Sequence, residues 1–76
     1  MRDKQIKFIE FTKPEINFFL DQCNFSCEEE QLFLIRSSKN NFTLQATALQ
    51  MHVSLRTATS INKAVKRKIR KVLESL

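Results

Sequence analysis

Thr12, Ser26, Thr43 and Ser54 each stand just ahead of a segment with helical apolar spacing, and this punctuation limits the fold more than any other feature of the chain. A hydroxyl oxygen at such a position accepts from the free N–H groups of a first helical turn. Thr12-Lys13-Pro14-Glu15 is a capping box with proline in the first turn, where its missing N–H costs nothing. Ser26-Cys27-Glu28-Glu29 repeats the box, and Glu28, Glu29 and Glu30 lie against the positive end of the helix dipole. The spacing predicts helices over about 13–22, 27–37, 44–51 and 55–75. Ile16, Phe19 and Leu20, with Phe18, give the first its apolar face. Leu32, Phe33, Ile35 and Leu34 do so for the second, and Leu44, Ala48 and Met51 for the third. Ala58, Ile61, Val65, Ile69 or Lys68, Val72 and Leu76 form a heptad-like seam on the fourth. Residues 4–11 roughly alternate polar and apolar, which suits an extended arm or a short strand. The expected fold is all-α: an arm over 1–11, then a three- to four-helix domain over 12–76 with a long C-terminal helix.

Seventy-six residues fit one small domain, which buries only about 60–65% of the surface its unfolded chain exposes. Hydrophobic residues at 42% against charged ones at 28%, with seven Phe, are the balance of a folded chain. No run approaches the roughly 18 apolar residues of a membrane span, and Met1-Arg2-Asp3-Lys4 leads into no signal-peptide core. The expectation is therefore a cytoplasmic protein. Cys23 and Cys27 are too few to staple a secreted fold, and with one His they cannot fill a four-ligand zinc site, so two buried or half-buried thiols are expected. No metal or cofactor is called for. An enzyme is the weakest reading, since His52 has no acid, base or nucleophile beside it in the pattern.

Charge divides the chain. Residues 1–35 carry four basic and seven acidic side chains, net −3; residues 36–76 carry nine basic and one acidic, net +8. Lys63, Lys66, Arg67, Lys68, Arg70 and Lys71 place six cations in nine residues, a density that attracts polyanions. Nucleic acid or an acidic protein surface follows as partner. A basic amphipathic helix also suits a solvated face, a membrane surface or a calmodulin-type contact. The seam, however, lacks Trp and large aromatics and is needed to close the core. Phe8, Phe11, Phe18, Phe19 and Phe25 lie in the acidic half, away from the cations, and read as core, not as a base-stacking platform.

A short helix, a tight turn at His52-Val53 and a longer helix with a polar outer side form a helix-turn-helix pattern, in which the second helix enters the DNA major groove. The segment Ser26 to Ile69, about 44 of the 76 residues, resembles region four of bacterial sigma factors and the output domain of LuxR-type regulators. In that register Ala48 fills the small position, Met51 the leucine, Val53-Ser54 the turn exit, and Thr57-Ala58 with Ile61 the start of the recognition helix. Phe25-Ser26-Cys27-Glu28-Glu29 with Leu32-Phe33 is similar to the acidic helix that precedes the motif. Two positions depart from the pattern. His52 stands where glycine is common and must take a left-handed backbone, and Thr47 replaces the usual aliphatic, so thinner packing is expected there. No receiver, ligand-binding or DNA-melting segment accompanies the motif, so the expected setting is a small stand-alone regulator of phage or mobile-element type.

The resemblance implies a sequence-specific double-stranded DNA-binding transcription regulator without catalysis. Rotation by 100° per residue sets Arg56, Thr59, Ser60 and Lys63, with Thr57 at the margin, toward bases; Arg and Lys suit guanine, and Ser and Thr suit either base type. Arg36, Lys39, Thr43, Gln45, Lys66 and Arg67 are the candidates for phosphate, partly through the start of the third helix. Lys63 and Arg70 can track the backbone as well. One such motif reads few base pairs, so a homodimer on half-sites about 34 Å apart is expected. The competing reading is a protein-binding mimic of region four that grips RNA polymerase or another regulator.

Overall fold

A computed structural model describes residues 7–38 and 43–76; Lys39 and residues 4–6 of the arm or strand expected over 4–11 lie outside them. Its elements are a 3-10 turn at Phe8–Glu10, α1 (Lys13–Gln22), α2 (Cys27–Ser37), α3 (Leu44–Met51) and α4 (Leu55–Glu74), with no strand among the described residues. Each helix opens on its expected hydroxyl. Thr12 Oγ1 accepts from the Glu15 N–H while the Glu15 carboxylate accepts from the Thr12 N–H at 2.8 Å, and Ser26 and Glu29 close the same reciprocal pair. Thr43 accepts from the Ala46 N–H and Ser54 from the Thr57 N–H, each at 3.1 Å.

Helix α4 packs on α1, α2 and α3, and α2 in turn touches α1, α3 and the 3-10 turn, so the core lies around α2 and α4. Leu32, Phe33, Val65 and Ile69 are completely enclosed. The rings of Phe8, Phe11, Phe19 and Phe25 surround Phe33 with centroids 5.2–6.3 Å away, all tilted or edge-on as aromatic quadrupoles favour. That ring cluster also shapes the backbone ahead of α1. Residues 8–10 form a 3-10 turn instead of extended chain, because Phe8 must fold under Phe33, where it is buried. Phe8 thus belongs to the core, with Phe11 packed against it.

Three further expectations change. Asn62, on the buried side of α4, takes a place in the stripe Ala58-Asn62-Val65-Ile69, while Ile61 is half-buried. Leu76 ends the expected seam but lies past the last turn of α4 and is 81% exposed. Cys23 is buried, with its thiol pushed up by burial against a smaller opposing pull from Lys68; Cys27, on the outer side of the first turn of α2, is exposed. Phe18 and Leu34 also stand partly in solvent.

Lys68 and Glu29 join α4 to the start of α2. The Lys68 ammonium donates to the Glu29 carboxylate at 2.5 Å and to the Asn24 carbonyl at 3.3 Å. Burial alone would raise the Glu29 carboxyl, but Lys68 and the Ser26 N–H outweigh it and hold it below the usual carboxylate range. A depressed folded value adds stability above the unfolded pKa of about 4.3, and that stability fades as pH falls through the folded value. Glu29→Gln keeps an acceptor for Ser26, so only the charge is lost. It is expected to cost about 1 kcal/mol at pH 7 and to flatten the acid side of a denaturation profile; parallel profiles would remove the ion pair from the account.

Candidate nucleic-acid interface

The unit that presents α4 begins with α3 and its exit. Thr47, in place of an aliphatic, is fully buried, and its hydroxyl donates to the Thr43 carbonyl at 2.8 Å, so the polar atom is satisfied and the packing is not thinned. His52 takes the left-handed backbone at φ 59°, ψ 41°. Its N–H donates to the Leu49 carbonyl and the Val53 N–H to the Ala48 carbonyl at 3.0 Å, the paired bonds of a Schellman turn, with Val53 half-buried against the core. A β-carbon in that region costs about 1–2 kcal/mol. His52→Gly should relieve it and, after the looser unfolded chain is counted, stabilise the domain by about 0.5–1 kcal/mol in thermal melts. His52→Val should destabilise it, and a turn indifferent to both would not be strained.

Beyond the turn, α4 rises about 30 Å over its 20 residues. Ala58, Asn62, Val65 and Ile69 face inward. At 100° per residue, Arg56, Ser60, Lys63, Arg67 and Arg70 fall within about 80° of one another on the opposite side, and all five are exposed. This stripe runs about 21 Å and carries four cations with one hydroxyl. Lys66 lies half-buried at its edge. Lys68 is turned away and committed to Glu29 and Asn24.

The hydroxyl candidates differ. Ser60 is exposed and makes no side-chain hydrogen bond within the described residues, whereas Thr57 Oγ1 accepts from the Ser54 hydroxyl at 3.1 Å. Thr59 is half-buried and donates its hydroxyl to the Leu55 carbonyl at 2.8 Å. Among the phosphate candidates, Arg67 and Gln45 are exposed. Thr43 spends its oxygen on the cap, while the N–H groups of Leu44 and Gln45 head α3 without an intrahelical acceptor. Arg36 is drawn inward: its guanidinium lies 5.5 Å above the Phe8 ring, its Nε is buried without a partner among the described residues, and burial lowers its proton affinity. It is half-buried against the Phe8 ring. No group of three His, Cys, Asp or Glu side chains able to hold a metal occurs among the described residues.

Two features of α4 do not follow from the apolar spacing of the sequence. Asn62 Oδ1 is buried without a partner among the described residues, at a register where an apolar residue is usual. Leu55 opens α4 at 48% exposure, and Leu49 on α3 is 73% exposed. The signal for Leu55 was available, since it lies off the seam that contains Ala58. No known protein family matches the chain, and no curated protein or solved structure matches it. No helix among the described residues is long and apolar enough to cross a membrane.

Proposed function

We propose that the protein is a cytoplasmic, non-catalytic transcription regulator that binds double-stranded DNA sequence-specifically, with α4 in the major groove. One observation carries the reading: Arg56, Ser60, Lys63, Arg67 and Arg70 form an exposed stripe directly opposite the buried face of a helix that α3 braces through a tight turn. Arg56, Ser60 and Lys63, near the start of α4, supply donors suited to base edges, with Thr57 and Thr59 beside them. Lys66, Arg67 and Arg70, farther along, suit phosphates, as do Gln45 and the head of α3.

Such a module reads few base pairs, so we propose that it acts as a homodimer. Phe18, Leu73 and Leu76, partly or largely exposed, gather with Phe11 and Pro14 around one groove between α1 and the end of α4, an apolar surface suited to a second copy. Sedimentation of the free protein is the direct measure.

The test is selection from random duplexes with the purified protein. A defined motif is expected. Arg56→Ala should relax preference at one position, whereas Lys66→Ala should weaken all duplexes alike. An Arg56→Ala variant with unchanged preference, or an unselective pool, defeats the proposal. Capture of RNA polymerase together with negligible DNA affinity at physiological salt would point to a region-four mimic instead.

A further inference from the structure

Leu55 and Thr59 lie one turn apart on one side of α4, about 40° from each other, and Thr59 lies about 40° from Lys63. They therefore border the Arg56-Ser60-Lys63 edge. Leu55 is 48% exposed and has no place in the core cluster. Thr59 donates its hydroxyl hydrogen back to the Leu55 carbonyl, so that hydrogen is already used and the methyl is what it can offer as an apolar contact. The leading end of α4 thus pairs an apolar strip with a strip of donors. In the major groove the apolar group that distinguishes one base pair from the others is the C5 methyl of thymine.

We infer that Leu55, assisted by the Thr59 methyl, is a specificity-determining contact for a thymine methyl, next to the guanine that Arg56 takes. The preferred duplex then contains a T·A pair adjacent to that G·C pair. This inference rests on the DNA-reading proposal above, and it replaces hydrogen bonding by Thr59 with apolar contact.

The experiment substitutes deoxyuridine for each thymine of the selected duplex in turn, which removes only the methyl and leaves the pairing intact. Wild-type protein is expected to lose about four-fold in affinity at one thymine beside the Arg56-dependent guanine, the effect of one buried methyl-sized group. In Leu55→Ala that sensitivity should fall below about two-fold while the guanine preference persists. Leu55 is at the surface, so folding is checked by an unchanged circular dichroism spectrum. Thr59→Val, which keeps a methyl and discards the hydroxyl, should retain the thymine preference. Indifference of the wild type to every uracil, or equal sensitivity in Leu55→Ala, overturns the inference and leaves DNA reading intact. Failure to select any duplex overturns both.

Discussion

Phe33→Ala is expected to remove about 3–5 kcal/mol of folding stability, the range for truncating an enclosed aromatic side chain. Phe33 is fully buried, and four other rings close on it. It also lies on α2, which packs against every other helix and the 3-10 turn, so no single element can move inward to fill the gap. Against a total of about 4–11 kcal/mol for a chain of this length, the loss is a large share. Thermal denaturation followed by circular dichroism should show a midpoint lowered by roughly 15–30 °C. Phe18→Ala, which removes a ring already 38% exposed, should cost far less. A Phe33→Ala midpoint within about 5 °C of wild type would mean that the rings do not close the core.

Affinity for a selected duplex should collapse with salt. If roughly six phosphates are neutralised, log affinity falls against log salt with a slope near −5, which is about a thousand-fold loss between 50 and 200 mM. The cations on the outer side and edges of α4 are Arg56, Lys63, Lys66, Arg67, Arg70 and Lys71, with the head of α3 adding backbone donors. Lys68 contributes little, because Glu29 already neutralises it. Fluorescence anisotropy titrations at several salt concentrations measure the slope, and Arg67→Ala should make it shallower by about one. A slope near zero would show that the basic stripe does not meet the phosphates.

The helices were legible because their starts are local events. Thr12, Ser26, Thr43 and Ser54 bond to N–H groups three residues away, and no distant part of the chain has a say in that. The left-handed His52 was legible for the same reason: a turn this short leaves one backbone solution. What local spacing did not show depended mostly on partners far along the sequence. Phe8 folds into a 3-10 turn to reach Phe33, and the half-buried Arg36 lies over the Phe8 ring. Leu76 has the right period for the seam but lies beyond the end of the helix. On α4, rotation alone located Arg56, Ser60, Lys63 and Arg67 on the outside, while the commitments of Thr57, Thr59 and Lys68 needed coordinates.

The bond between Lys68 and Glu29 ties the far half of α4 to the start of α2. Lys68 lies about 20 Å along a 30 Å rod, in a molecule whose longest dimension is 34 Å. Its contact with the opening turn of α2 lies past the middle of α4, so the larger part of the helix, with Arg56 near its start, extends to one side of that tie and is held there by the core packing of Ala58, Asn62 and Val65.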